Sequence, residues 1–208
     1  MLNLFSGFVK LIMILSLLIM VTSCKPEKST DIFMAVDASG SAKSLTKKYF
    51  GLADVVVNKV PHRMTGLSFY TFNSDVTLMW SGKPVKRCLW KVQDEIMKDT
   101  GIVQNGTRVD LLLKELTKSV ESSSADQVGL VILWDGGADL LKEPLKPLIK
   151  KLAEKEKVFS LLILGVKDEK RIEVMDMFSP FGGRVICSGL NDNEDAVKKF
   201  IQSLKEAL

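Results

Sequence analysis

The chain has 208 residues, of which 46% are hydrophobic and 26% are charged, and its formal net charge is +4. This length suits one domain of ordinary size with a short appendage, and the composition is that of a globular protein that can fill a core. A net charge this small argues against a nucleic-acid-binding protein.

Residues 1–23 have the shape of an export signal. Lys10 precedes an apolar run, residues 11–21, that is shorter than the ~20 residues a membrane-spanning helix needs. The sequence Val21-Thr22-Ser23-Cys24 then resembles the lipobox of bacterial lipoproteins, in which the cysteine is acylated after cleavage. Plain cleavage and an uncleaved anchor helix that begins near Leu4 are the alternatives.

Acylation of Cys24 divides the chain into a signal peptide (1–23), a lipidated cysteine with a short tether (24–30) and one domain (31–208). Residues 25–30 reach ~20 Å when fully extended, so we expect the domain to lie close to a bilayer. These features predict a lipid-anchored protein of the bacterial cell envelope. Lys25, directly after the cysteine, favours the outer membrane over the inner membrane.

Apolar runs alternate with amphipathic stretches through the rest of the chain. Strands are predicted at residues 32–36, 66–72, 76–80, 128–134, 159–166 and 184–187. Helices are predicted at residues 42–60, 86–98, 109–120, 142–157, 168–178 and 192–208. This order predicts an α/β fold, a doubly wound and mostly parallel six-stranded sheet with helices on both faces. The hairpin of the second and third strands supplies one antiparallel edge strand.

Three oxygen-bearing side chains follow the first strand at alternate positions, namely Asp37, Ser39 and Ser41. They lie at the carboxyl end of the strand, where open α/β sheets bind their ligands. Oxygen donors suit a hard cation such as Mg²⁺ or Mn²⁺. The alternative is that one of these residues caps the following helix, because a junction of strand, cap and helix has a similar sequence.

Two later positions have the same character. Thr107 ends a polar, glycine-containing loop (99–107) just before a helix, where an N-cap is again the alternative. Asp135 follows the most apolar strand of the chain and precedes Gly136 and Gly137. A buried strand thus ends in a carboxylate for the second time.

Taken together, Asp37-x-Ser39-x-Ser41, Thr107 and Asp135 resemble the metal-ion-dependent adhesion site of the von Willebrand factor A (VWA) domain, in order and in separation. Residues 70–76 are similar to the second-strand hairpin of that family, and residues 162–166 to its fifth strand. The resemblance covers residues 31–207 and implies a Rossmann-like VWA fold.

The resemblance also implies a ligand set for Mg²⁺ or Mn²⁺. Ser39, Ser41 and Thr107 would coordinate through hydroxyl oxygens, and Asp37 and Asp135 partly through bound water. Trp134 replaces the threonine that usually precedes the last aspartate, which either changes the packing behind Asp135 or places an indole beside the site.

The function that the resemblance implies is a cation-dependent protein-binding module. An Asp or Glu of a partner protein would complete the coordination of the metal. The alternatives are a structural subunit of an envelope complex with a vestigial metal site, and a Mg²⁺-dependent hydrolase. Ser39 stands where hydrolases with an Asp-x-Asp motif have their second carboxylate, so we predict that the protein is not an enzyme.

Four other side chains carry predictions of their own. His62 is predicted to be an exposed loop residue and not a metal ligand, and Trp90 a packing residue. Cys88 and Cys187 are predicted to be two free, largely buried thiols. In the resembled fold their neighbourhoods lie at opposite edges of the sheet, too far apart for a disulfide.

Overall fold

The structure is a computed structural model, and it describes residues 28–61, 63, 65–98, 106–138, 144–191 and 193–207. The predictions for the signal peptide, for Cys24 and for His62 lie outside these described residues. Within them, every helix is too short or too polar to span a bilayer.

Six strands form one sheet, in the spatial order β3-β2-β1-β4-β5-β6. Their bounds are β1 Thr30–Asp37, β2 Thr65–Phe72, β3 Val76–Gly82, β4 Gln127–Leu133, β5 Val158–Leu164 and β6 Val185–Ser188. All neighbouring strands are parallel except β2 and β3, which form an antiparallel hairpin at one edge. The predicted fold class is therefore confirmed.

The winding of the chain reverses in the middle of this sheet. From β1 the chain proceeds outward through β2 to β3, and β4 then returns to the other side of β1 and leads outward to β6. The carboxyl ends of β1 and β4 therefore form the topological switch point, which is the usual ligand site of doubly wound sheets.

Helices cover both faces. They are α1 Thr46–Lys59, α2 Lys86–Lys98, α3 Val109–Ser122, α4 Leu145–Ala153, α5 Arg171–Met177 and α6 Asn193–Ala207. Successive residues of β1 face opposite ways, so Ile32, Met34 and Val36 pack in the core under α1, α2 and α6. Phe33 and Ala35 pack in the second core, under α3, α4 and α5.

Several boundaries differ from the predictions by up to four residues at an end, as at α1, which begins at Thr46 and not at residue 42, and two of the differences have a local cause. Strand β5 ends at Leu164 and not at residue 166, because Gly165 takes a φ of 90°, which turns the chain out of the sheet. Helix α4 covers only Leu145–Ala153 of the predicted residues 142–157. Pro144 stands in an extended conformation before it, and the chain turns after Ala153 to enter β5.

The packing prediction for Trp90 is wrong, since its side chain is 67% exposed. The buried stripe of α2 consists of Cys88, Leu89, Val92 and Ile96, and Trp90 lies outside it. Cys88 and Cys187 form no disulfide within the described residues, as predicted, with Cys88 buried and Cys187 half-buried.

Candidate functional site

Asp37 is the last residue of β1, and its buried carboxylate organises the turn that follows. Its Oδ1 accepts a hydrogen bond from the backbone N–H of Ser39 at 2.8 Å. The Ser39 and Ser41 hydroxyl oxygens lie 3.1 Å apart and share a hydrogen bond. Ser39 is buried and Ser41 is exposed, so the pair of hydroxyls reaches from the protein interior to its surface.

Asp135 repeats this geometry on the neighbouring strand. It lies two residues beyond the end of β4, and its Oδ1 accepts a hydrogen bond from the backbone N–H of Gly137 at 2.8 Å. In both turns an aspartate binds the amide two residues ahead with one oxygen, which orients the other oxygen away from the turn. The two strands are adjacent and in register from Thr30 to Val36, so both buried carboxylates lie at one switch point.

Thr107 is buried next to the same edge of the sheet. The following residue, Arg108, donates its backbone N–H to the Asn73 carbonyl at 2.6 Å, and Asn73 follows directly after β2. The backbone N–H of Ala38 in turn binds the Phe72 carbonyl at 2.9 Å. The structure therefore links Asp37, Ser39 and Ser41 through direct hydrogen bonds, and it attaches Thr107 through the end of β2.

Helix capping does not explain these hydroxyls. Helix α1 has Leu45 as its N-cap and α3 has Arg108, and neither start has a side-chain capping hydrogen bond among the described residues. The short 3₁₀ turn at Lys43–Leu45 has Ala42 as its N-cap, again without such a bond. The capping alternative for Ser39, Ser41 and Thr107 is therefore wrong.

Tyr49 of α1 lies beneath the switch point, and the sequence analysis missed it. Burial raises the pKa of its phenol far above the ordinary value, and the negative charges of Asp37 and Asp135 raise it further. Its hydroxyl is buried and has no hydrogen-bond partner within the described part of the chain. Both carboxylates therefore act in the same direction on the pKa of one buried phenol.

Lys167 also contributes to the site and was also missed. Its ammonium nitrogen lies 2.9 Å from Asp135 Oδ2, and its backbone N–H binds the Asp135 carbonyl at 3.1 Å. The Lys167 side chain is half exposed, whereas the Asp135 side chain is only 4% exposed. The sequence could have indicated Lys167 by its position. It follows the central strand β5, at the edge of the sheet where ligands bind.

Trp134 lies behind the site and not beside it. Its side chain is completely buried in the core under α3, and its indole N–H donates to the Gly137 carbonyl at 2.6 Å. The first of the two alternatives for this substitution is therefore confirmed. The indole supports the turn that presents Asp135.

A groove of about 630 Å³ opens beside Lys167. It lies between the connections that follow β5 and β6, and it is lined by Val166, Lys167, Asp168, Arg171, Ile172, Gly189, Leu190 and Asn191. Two cations, one carboxylate and three apolar side chains line it, so its surface is both charged and apolar.

The donor set can be tested against a metal on its chemistry. In the described residues, no cluster of three or more His, Cys, Asp or Glu side chains could hold a metal ion. A soft transition-metal site is thus not indicated there. Two carboxylates together with hydroxyl oxygens form a ligand set that fits Mg²⁺ or Mn²⁺, which accept oxygen ligands and retain bound water.

No protein-family profile matches this sequence, and no curated protein matches it. Solved structures do share its fold. BatB of Bacteroides thetaiotaomicron is 15% identical with a TM-score of 0.64, over 86% of this chain and 98% of that protein. An aerotolerance-related membrane protein of Bacteroides fragilis is 13% identical with a TM-score of 0.62, over 86% of this chain and the whole of that one.

The VWA2 paralogue of ArnB from Sulfolobus acidocaldarius is 16% identical, with a TM-score of 0.58. The alignment covers 85% of this chain and 45% of that protein. The sheet order, the single antiparallel edge strand and these likenesses together show a VWA-type, Rossmann-like fold.

Proposed function

We propose that this protein is a membrane-tethered, divalent-cation-dependent protein-binding module. The observation that carries the proposal is the meeting of two buried carboxylates, Asp37 and Asp135, with the Ser39 and Ser41 hydroxyls at the switch point of the sheet. Mg²⁺ or Mn²⁺ would be held by these four residues together with Thr107.

Each ligand type has its own part in this proposal. The neutral hydroxyls of Ser39, Ser41 and Thr107 add no charge, so the bound cation keeps a net attraction for another anion. An Asp or Glu carboxylate of a partner protein is such an anion. The bound metal would supply an electrophilic contact for that carboxylate, and the groove beside Lys167 provides space for the adjoining residues of the partner.

The membrane part of the proposal rests on residues 1–24, whose apolar run and lipobox-like end are features of the sequence. A bacterial envelope location with Cys24 acylated, in the outer membrane by preference, is consistent with them. One protein with the same fold, that of Bacteroides fragilis, is described as a membrane protein.

A binding role without catalysis is part of the same proposal. Residue 39 is a serine, so no second carboxylate lies two residues after Asp37 to act as a general acid or base. The Ser39 hydroxyl shares a hydrogen bond with that of Ser41. If Mg²⁺-dependent hydrolysis of a phosphatase substrate occurred and were lost in Asp37→Ala, this part of the proposal would fail.

Recognition of a carboxylate can be tested without knowing the partner. Residues 26–208 include all six strands, and Mn²⁺ is titrated into this fragment calorimetrically with and without acetate. Because metal and carboxylate would bind together, linkage requires acetate to raise the apparent Mn²⁺ affinity. Ser39→Ala should abolish both effects, whereas Ser44→Ala, an exposed serine of the same connection, should preserve them.

The outcomes separate the alternatives. Mn²⁺ binding that acetate does not change would refute recognition of an acidic residue but leave a metal site. Absence of Mn²⁺ binding with and without acetate would support the alternative of a structural subunit with a vestigial site.

A further inference from the structure

Cations outnumber carboxylates at one corner of the domain, where the Asp31 carboxylate of β1 lies beside Gly66 of β2. Between Asp54 and Asp94 the sequence has six Lys and Arg residues but only one acidic residue, Asp75. Asp75 lies in the turn between β2 and β3, at the carboxyl end of β2. Five of the six cations are exposed at the opposite end of the hairpin, and we call them the basic corner: Lys59, Arg63, Lys83, Lys86 and Arg87.

The chain connections explain why these cations meet. Lys59 ends α1, Arg63 lies between α1 and β2, and Lys83 follows β3. The Lys83 ammonium donates to the Arg63 carbonyl at 3.1 Å, which joins the two connections. Since β2 begins and β3 ends at this edge, the corner lies at the amino end of the parallel strands.

Apolar side chains are exposed at the same corner. Val85 is 39% exposed and Trp90 is 67% exposed. Trp90 lies one turn after Lys86 on α2, so the two side chains share a face of the helix. Tryptophan beside lysine and arginine is the composition of protein surfaces at the headgroup level of a membrane.

The position where the chain enters the fold brings a membrane close to this corner. The described chain begins at Lys28, at the amino end of β1, and its ammonium binds the Ala207 carbonyl. Lys28 is the fourth residue after Cys24, so the two are ~14 Å apart at most. Strand β3 lies two strands from β1, which is about 10 Å across the sheet.

We propose that the basic corner docks on an anionic membrane surface, with the Trp90 indole at the headgroup level. The inference rests on the membrane attachment in the proposed function, whether acylated Cys24 or the apolar segment of residues 11–21 provides it. Strand β1 has eight residues and spans about 26 Å. Docking at its amino end therefore holds the candidate metal site away from the bilayer and facing a partner.

The full chain in vesicles tests this proposal through tryptophan fluorescence. Vesicles contain phosphatidylglycerol and a brominated lipid that quenches indoles near the headgroups. We expect Trp90 emission to be quenched at least two-fold, and Trp90→Phe to remove the quenched component, because Trp134 is buried and Trp80 is half-buried. Vesicles of phosphatidylcholine alone, or high salt, should abolish the quenching.

A matched pair of variants tests the role of charge. Each cation near an anionic surface strengthens binding about five-fold, so Lys83→Gln, Lys86→Gln and Arg87→Gln together should weaken docking on the order of 100-fold. The control removes three exposed lysines elsewhere, Lys118→Gln, Lys198→Gln and Lys199→Gln, and should be quenched like the wild type.

Several results would overturn the proposal. These are unquenched Trp90 in anionic vesicles, equal quenching in both triple variants, equal quenching in neutral vesicles, or a chain that stays free of the vesicles. Capture of a soluble protein at the corner, with Trp90 shielded from lipid, would also overturn it. None of these results bears on Mn²⁺ binding, so the metal site is tested separately by the titrations.

Discussion

At the scale of single residues, the Asp135 carboxylate already has a cation beside it. The Lys167 ammonium contacts Asp135 Oδ2, the oxygen that the turn at Gly137 leaves available. A half-exposed ion pair of this kind contributes only up to about 1 kcal/mol, so a divalent cation can displace it. Lys167 would then act as a competitor that lowers the affinity of the site for metal.

Substitution Lys167→Gln should therefore raise the affinity for Mn²⁺ by roughly three- to five-fold, which corresponds to loss of an ion pair worth up to about 1 kcal/mol. Isothermal titration measures this directly. Lys170→Gln is the matched control, because the Lys170 ammonium lies nearby but pairs with Glu173. Equal affinities in the two variants would show that Lys167 does not compete with the metal.

The ion pair of Arg108 and Asp110 gives a second prediction, on stability. The Arg108 guanidinium donates two hydrogen bonds, of 2.7 and 2.6 Å, to the buried Asp110 carboxylate. These bonds, more than any other cause, lower the pKa of Asp110. The pKa of this carboxyl is thus lower in the folded state than in the unfolded state, where it is about 3.8. Such a group stabilises the fold at pH values above its unfolded-state pKa.

That stabilisation should be lost as the pH falls from about 4 through the lowered folded-state pKa. Asp110→Asn removes the carboxylate charge that accepts two hydrogen bonds from the buried Arg108, so it should reduce the free energy of unfolding at neutral pH by about 3 kcal/mol. It should also flatten the dependence of stability on pH in the acid range. Denaturant unfolding at several pH values measures both effects. Asp176→Asn, at an exposed position on α5, should change neither, and an unchanged acid-range slope in Asp110→Asn would refute the assignment.

Some site residues could be identified from the sequence and others could not. Asp37, Ser39 and Ser41 are close in the chain, so their alternation was enough to predict that they lie together. Tyr49 and Lys167 join them only through the packing of α1 and the pairing of β5 with β4. In the sequence, Tyr49 is one more member of an apolar helical stripe.

At the scale of elements, two glycines in regular structure have opposite environments. Gly51 lies on the exposed side of α1, and an added Cβ would meet nothing within 4 Å. Gly129 lies in β4, where an added Cβ would come within 2.9 Å of Ile32, Phe159 and Phe200. The space that Gly129 leaves is filled by side chains from β1, β5 and α6.

Gly51→Ala should therefore raise the free energy of unfolding by about 0.5–1 kcal/mol, because alanine is the better helix former. Gly129→Ala should lower it by about 1–3 kcal/mol, because the three neighbours must move. Denaturant unfolding compares the two with Gly183→Ala, where a Cβ meets nothing within 4 Å. Equal effects at positions 51 and 129 would contradict this account of the packing.

Element boundaries were less predictable than element types. The apolar pattern of β5 continues through Val166, but the left-handed conformation of Gly165 ends the strand at Leu164. In α2 the helical period itself predicts that Trp90 is exposed. Trp90 falls outside the helical stripe of Cys88, Leu89, Val92 and Ile96, so its exposure follows from the 3.6-residue period.

At the scale of the whole molecule, the two ends of the sheet have different chemistry. The carboxyl end concentrates the buried carboxylates and hydroxyls of the candidate site. The amino end presents the basic corner, and the chain enters the fold there. The alternation of strands and helices in the sequence was sufficient to predict the sheet, whereas the clustering of cations at one corner depends on how the connections meet.

This polarity agrees with the proposed function. In that proposal a short tether at the amino end would hold that end near a bilayer, and the opposite end would remain accessible to a partner. The metal site is the part of the account on which carboxylate recognition depends.

The most direct test is a calorimetric titration of Mn²⁺ into residues 26–208, for the wild type and for Asp37→Asn. The control is Asp31→Asn, which makes the same change at the opposite end of the same strand. We predict heat of binding in the wild type and in Asp31→Asn, and none in Asp37→Asn. If Asp37→Asn bound Mn²⁺ like the wild type, or if all three folded proteins failed to bind it even with acetate present, the central claim would be contradicted.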